Sequence, residues 1–462
     1  MKFSLRNIRP LNKGDIELNK LTILCGENNT GKTYITNTIY SFLGTWEEHI
    51  QWKIPGLVID DLHKNGAIKV DLNELIISNI SDIRESISSG FAEKLSEYLA
   101  CSDNILENMK FDFDFDMSEE WIKRDFKSGI RNSIDGEFLT VKKVKNSHHA
   151  EILLKKTSDR NFPEFLLQDI LTKILVQCVI TDIPRTFIAS AERTGAAIFK
   201  NELNFRRNQL INYLGEMSSS NSTRIDPFEL VSKFKGNYAY SVERNVDFIS
   251  DLNAIESKGE SEFIKENNFL IKDFIKISGG QYKSSENGAI YFYPENTDEG
   301  IELKMGESSS TVRALMLIWY WLNYIAQKDS LLIIDEPELN LHPANQRKFA
   351  RFLVNLVNSG VKVFITTHSD YIIREINTLI LMSNLSDNTK LIKEKYGYRN
   401  DEQLKIDDVS IYIAEKSKTT EYNNINLEKI DVTMDEGIVI RSFDEEIKKL
   451  NQIQDGLMFG FD

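Results

Sequence analysis

KLTILCGENNTGKTYITNTIYSFLG, Lys20 to Gly44, decides the fold. An apolar run, LTILC, meets a glycine-flanked loop, and apolar residues at helical spacing follow. Strand, loop and helix in that order form the unit from which parallel α/β sheets are built. The loop itself, GENNTGKT (Gly26–Thr33), fits the phosphate-binding pattern G-x-x-x-x-G-K-[ST]. Its backbone N–H groups and those of the helix start point at an anion. Gly26 and Gly31 permit backbone angles and a close approach that a side chain would obstruct. Asn28, Asn29 and Thr30 fill the cradle between them. Lys32 brings a mobile positive charge to the β/γ-phosphates, and Thr33 a hydroxyl to Mg²⁺. One such charge pair at ~4 Å and an effective dielectric of ~20 amounts to about 4 kcal/mol.

Two later stretches complete the chemistry. LLIIDEPELNLHP, Leu331 to Pro343, is an apolar strand that delivers Asp335 and Glu336 at its end. Adjacent carboxylates repel unless a cation is expected. Asp335 is placed to hold Mg²⁺, and Glu336 to orient or deprotonate an attacking water. After one further helix, VFITTHSD sets His368 at the end of the next apolar strand, placed to donate a hydrogen bond to a γ-phosphate. Ligands of open α/β sheets bind at the carboxyl ends of the strands, so Gly26, Asp335 and His368 are expected to converge. His342, in NLHP, reads as a packing or dimer-contact residue.

The chain has 462 residues, 41% hydrophobic and 27% charged, which suits a globular protein with a sizeable core. No run approaches the length of a membrane span, and MKFSLRNIRPL lacks a secretory pattern. Cys25, Cys101 and Cys178 are odd in number and far apart, which points to reduced thiols and a cytoplasmic setting. Lys plus Arg number 56 against 70 Asp plus Glu, a formal charge of −14. That balance argues against a protein that coats DNA, because phosphate neutralisation supplies most non-specific affinity. It leaves a local basic groove open.

These motifs resemble the Walker A loop, the Walker B strand with its D-loop, and the H-loop of ABC-type ATPases. The likeness is to the RecF, structural-maintenance and OLD branch rather than to transporters. It implies an α/β fold, an ATPase head of mixed or parallel sheet with flanking helices, interrupted by largely helical insertions. On that reading residues 1–44 carry Walker A, 45–182 form an insertion of helices and short strands, and 183–195 return to the core. Residues 196–276 form a helical insertion, 277–383 the signature, Walker B, D-loop and H-loop, and 384–462 strands and a helix completing the core. ATP and Mg²⁺ are the implied cofactors.

The resemblance also requires a serine signature one helix before the Walker B strand. SGGQ, Ser278 to Gln281, looks the part, but Ser278 stands 335 − 278 = 57 residues before Asp335, across a glycine-turned hairpin. Ser309 stands 335 − 309 = 26 residues before it, at the start of the helix STVRALMLIWYW. Ser308, Ser309 and Ser310 are therefore read as the signature, and SGGQ as a helix C-cap and turn. In the family such serines complete the nucleotide site of a second copy. The resemblance thus implies a homodimer through composite ATP sites, or a higher homo-oligomer.

Other features are weaker. Arg193, in ASAERTG, reads either as reaching phosphate or a partner chain, or as a surface arginine paired with an acid such as Glu192. KFDFDFD (110–116) reads as a half-buried strand with an acidic outer face. LTVKKVKNSHHAEILLKK reads as a basic surface hairpin whose His148 and His149 point opposite ways. No glutamine for a Q-loop can be placed. No strand pattern for a Toprim nuclease follows His368, and the six histidines form no HNH constellation. The chain so resembles the stand-alone ATPase subunits of bacterial phage-defence systems, the PtuA family of Septu first and the AriA family of PARIS second. That implies a nuclease effector, HNH or Toprim, on a separate chain. A RecF-like ATPase acting directly on DNA is the alternative.

Overall fold

The computed structural model describes residues 1–115, 119–132, 136–155, 163–198, 238–285, 288–295, 300–384, 386–416, 425–433, 437–439, 449–455 and 457–458. The N-terminal part holds β1 (Lys2–Ile8), β2 (Leu11–Glu17), β3 (Leu21–Gly26) and α1 (Lys32–Thr45). Next come α2 (Gly56–Asn65), β4 (Ala67–Asp71), α3 (Leu72–Leu75), α4 (Ile80–Leu99), β5 (Lys110–Asp114), β6 (Phe126–Asn132), β7 (Gly136–Lys143), β8 (His149–Leu154) and α5 (Glu164–Val179). The chain returns in β9 (Thr186–Ala189) and continues through α6 (Tyr240–Ser250), α7 (Leu252–Glu256), α8 (Glu262–Glu266) and α9 (Phe269–Ser278). The last part holds β10 (Gly280–Ser284), β11 (Ile290–Pro294), β12 (Leu303–Lys304), α10 (Ser310–Tyr320), β13 (Leu331–Asp335), α11 (Pro343–Asn358), β14 (Lys362–Thr367), α12 (Asp370–Leu381), α13 (Asp387–Tyr396), β15 (Val409–Lys416) and β16 (Ile425–Ile430).

One mixed sheet of nine strands organises these elements, in the order β5-β1-β2-β16-β15-β3-β14-β13-β9. Its middle is parallel: β15, β3, β14, β13 and β9 pair parallel in turn. Such strands are covered on both faces and read as continuous apolar runs. LTILCG of β3 and LLIID of β13 are buried at every position. One face packs on a core containing Phe274, Trp319, Phe352 and Leu353. The other packs on Phe3, Phe42, Phe91 and Leu175. The α/β class expected from the strand–loop–helix unit is the class observed.

The insertions hold several departures from expectation. Residues 45–182 carry a sheet of their own, β4-β8-β7-β6, within which the basic hairpin is β7 and β8. KFDFD of β5 does not belong there. It pairs antiparallel with β1 on the edge of the main sheet. Its alternation is as read: Phe111 and Phe113 are buried, while Arg84 pairs with Asp112 and Asp114 on the outside. Of the helical segment expected over 196–276, residues 199–237 lie outside the described part.

The C-terminal strands do more than close the core. β15 lies between β16 and β3, beside the phosphate-binding strand, so the final strands occupy the centre of the sheet. The expected closing helix is corrected in part. Helical residues within 449–458 are exposed, with Leu450 at 56% and Leu457 at 82%, so this stretch adds nothing to the core. Much of the rest of that tail, 440–448 and 459–462, is outside the described residues.

Candidate active site

β3, β14 and β13 are parallel neighbours, so their carboxyl ends open on one edge. β3 ends at Gly26, β13 at Asp335, and β14 at Thr367, one residue before His368. There a cleft of about 590 Å³ is lined by Pro10, residues 28–34, Glu336 and His368. The three motifs read from sequence thus meet in one place.

The loop is shaped by two left-handed glycines. Gly26 has φ +144°, and a Cβ there would come 2.7 Å from the carbonyl oxygen of Ala414 in β15. Gly31, at φ +87°, precedes α1, and a Cβ on it would meet Pro10 at 3.1 Å. Both positions need glycine. Thr30 Oγ1 donates to the Glu27 carbonyl at 2.8 Å, which braces the turn. Lys32 is 5% exposed, and its Nζ donates to the carbonyls of Gly26 (2.8 Å) and Glu27 (2.7 Å). Burial pulls the ammonium pKa down, and the carboxylates of Glu336, Asp335 and Glu338 oppose that shift.

Asp335 is 1% exposed. Thr366 Oγ1 donates to its Oδ1, and Oδ2 is buried without a hydrogen-bond partner. Burial pushes its pKa up, against the hydrogen bond from Thr366. A buried carboxylate oxygen lacking a donor, beside a threonine hydroxyl, is a donor set that suits Mg²⁺. Thr33 and Asp335 are the residues that would hold it.

Glu336 has φ +52°, an uncommon and costly conformation for this residue type. Its N–H donates to Thr366 O (3.2 Å) and Thr366 Oγ1 (3.0 Å). The twist turns the side chain away from the strand, to where it lines the cleft beside His368. His368 Nδ1 lies 3.7 Å from Glu336 Oε1 and 3.2 Å from Glu338 Oε1.

Glu338 is a site residue that sequence reasoning missed. It is buried, and its Oε1 accepts from Thr367 Oγ1 at 2.9 Å and from the His368 N–H at 2.8 Å. It therefore fixes both the backbone and the ring of His368. Burial is the largest influence and pushes the Glu338 pKa up. The available signal was a third carboxylate in DEPE, inside a turn that the sequence reading gave only to Asp335 and Glu336.

Neither reading of Arg193 survives. The side chain reaches no phosphate position and no surface, being 1% exposed. Nε donates to Ala314 O at 3.0 Å, Nη1 to Ser190 O at 2.9 Å and Asp335 O at 2.7 Å, and Nη2 to Glu336 O at 2.8 Å. Burial pulls its pKa down to about 10, against the pull of Asp335, Glu338 and Glu336.

The serine turn sits elsewhere. Ser309 caps α10, its side chain accepting from the Val312 N–H at 3.3 Å. Ser308 is buried and donates to Lys304 O at 2.9 Å, and Ser310 opens the helix. None of the three lines the cleft of their own chain. SGGQ is a turn: α9 ends at Ser278, Gly279 takes φ +77°, and β10 begins at Gly280. His342 caps α11 from an exposed position, its Nδ1 accepting from the Ala344 N–H at 3.3 Å, so packing is not its role. His148 and His149 part company: the first bonds Asn73 and the second faces Asp71. Among the described residues no group of three His, Cys, Asp or Glu side chains is arranged to hold a metal ion by itself.

The sequence matches the AAA ATPase domain family over residues 1–373. The chain belongs to that family. As a member of the AAA ATPase domain family it is an ATPase. No curated protein matches it. Among solved structures it is similar to an Smc head bound to the C-terminal winged-helix domain of ScpA, with 13% identity, 93% of this chain and 97% of that one covered, and a TM-score of 0.35. It is also similar to a Pyrococcus furiosus Smc head with an extended coiled coil, bound to the C-terminal domain of ScpA (14%, 98% and 98%, TM-score 0.31). The Thermotoga maritima SMC head is a third (11%, 93% and 98%, TM-score 0.31). At such scores these likenesses add nothing to what the sheet order shows.

Proposed function

We propose that this ATPase is of the ABC type and acts as a regulatory subunit of an anti-phage complex, controlling a nuclease carried on a separate chain. The observation that carries the ATPase half is the convergence of residues 28–34, Glu336 and His368 on one cleft, with Asp335 beneath. Lys32 and the loop N–H groups bind the triphosphate. Glu336 takes or orients the proton of an attacking water, and His368, held by Glu338, donates toward the γ-phosphate. Mg²⁺, when bound, neutralises charge on the phosphate oxygens. Ser308–Ser310 lie off this cleft, and the N-terminus of α10 offers N–H groups to an anion. That supports their use on a second copy's nucleotide, in a dimer with two composite sites.

Control of a nuclease rests on the resemblance to stand-alone defence ATPases. Nucleotide state would set dimer geometry and so the partner's activity, which requires different affinities for the two states. The test is affinity capture of the full chain from its native host during phage infection. A nuclease recovered in stoichiometric amount supports the proposal, and its absence from both ATP-bound and nucleotide-free protein contradicts it. The alternative, direct action on DNA, draws on the β7–β8 lysines. Lys142, Lys145 and Lys155 are exposed, but Lys143 is buried and donates to the carbonyls of Ile122 and Arg124. A salt-dependent affinity of the isolated chain for duplex DNA would favour it.

A further inference from the structure

Arg193 is a buried cation with an unusual partner set. Its four hydrogen bonds all go to backbone carbonyls, from three separate parts of the core. A buried charge is costly unless fully hydrogen-bonded, and hydrophobic replacement of such groups is often neutral or stabilising. Fold stability alone therefore gives a weak reason for an arginine here. Its contacts give a stronger one. Two of the carbonyls belong to Asp335 and Glu336, and a third belongs to Ala314, in the first turns of α10 after the Ser309 cap.

The Glu336 peptide needs that hold. Its φ of +52° is unfavourable, and such a conformation persists only when its surroundings over-determine it. Thr366 anchors it through the N–H, and Arg193 Nη2 through the carbonyl. A planar guanidinium can reach carbonyls on three elements at once. A lysine ammonium is a point donor on a flexible stem and cannot keep that span.

We infer that Arg193 is a positioning residue for hydrolysis: it holds the Glu336 backbone in its left-handed conformation and ties it to the helix that carries Ser308–Ser310. The inference rests on the proposed role of Glu336 as base. It adds that the cleft's hydrolytic group and the serine turn move as one unit, so that seating of the turn is felt at the base.

The experiment is steady-state ATPase kinetics on the full chain, with Mg²⁺ and a fluorescent ATP analogue (mant-ATP) titrated separately, and Tm recorded for each variant. Arg193→Lys is expected to keep mant-ATP affinity within about threefold while kcat falls about 100-fold, the scale of a misplaced catalytic group. Arg193→Gln is expected to do the same. Wild-type kcat in either folded variant overturns the inference, as does a loss of affinity that matches the loss of kcat. Where neither variant folds, Arg193→Met keeps much of the volume without the buried charge: kcat lost at retained affinity supports the inference, and unchanged kcat overturns it. Failure of the underlying reading looks different, for then Glu336→Gln hydrolyses ATP as fast as wild type.

Discussion

At the scale of the residue, the proposed chemistry divides one task by charge among Lys32, Asp335 and Glu336. Glu336→Gln keeps the shape and hydrogen-bonding reach of the side chain and removes the proposed base. It is expected to bind Mg-ATP like wild type and to lose about 100-fold or more in kcat, read by phosphate release. Lys32→Ala removes the cation and is expected to weaken mant-ATP binding by orders of magnitude, consistent with about 4 kcal/mol for one such charge pair. Glu338→Gln leaves a weaker acceptor for the His368 ring and backbone. It is expected to lower kcat about tenfold with little change in KM, which the same kinetics checks. The positions legible in sequence were those fixed by local spacing: the loop between β3 and α1 with Gly26, Gly31, Lys32 and Thr33, and the strand end at Asp335 and Glu336. Glu338 and Arg193 were not legible, because the partners that place them, Thr367 and His368 for the first and Ala314, Asp335 and Glu336 for the second, come from elements distant in the chain.

At the scale of the element, the junction of α1 and α4 carries its own acid sensitivity. His49 is buried among Phe91, Tyr98 and Thr45, its Nε2 at 3.1 Å from the Tyr98 hydroxyl. Burial, with Lys94 next, pushes its pKa from 6.5 down to about 4. The folded state therefore resists a proton that the unfolded chain accepts. The stability from keeping His49 neutral is full above pH 6.5 and is lost as pH falls from there toward 4. Wild-type Tm is expected to drop between pH 7 and pH 5 by more than that of His49→Gln, as scanning fluorimetry would show. Reading elements from sequence worked where the pattern had one outcome. Continuous apolar runs gave β3, β13 and β14, and spacing from Asp335 separated the Ser309 cap from the SGGQ turn. It gave β5 as a half-buried strand but not its place, since KFDFD alternates equally well on any half-buried edge, and the edge it joined was set by the long-range register with β1. It failed too for the central place of β15, because strand order is a tertiary property.

At the scale of the whole molecule, two expectations follow from charge and from symmetry. With −14 formal charge and Lys143 turned inward, the isolated chain is expected to bind duplex DNA only weakly at physiological salt, measurable by fluorescence anisotropy across a salt series. If two composite sites form, as proposed, neither copy is complete alone. A Lys32→Ala chain still offers a sound serine turn, and a Ser309→Arg chain still offers a sound phosphate loop. Mixing these two inactive variants and measuring ATP turnover tests the arrangement most directly. Activity that returns only on mixing, approaching about a quarter of wild type when half the dimers are mixed and each holds one good site, is the predicted result. A Ser309→Arg chain that hydrolyses ATP at the wild-type rate by itself, or a mixture as inactive as its parts, would contradict it.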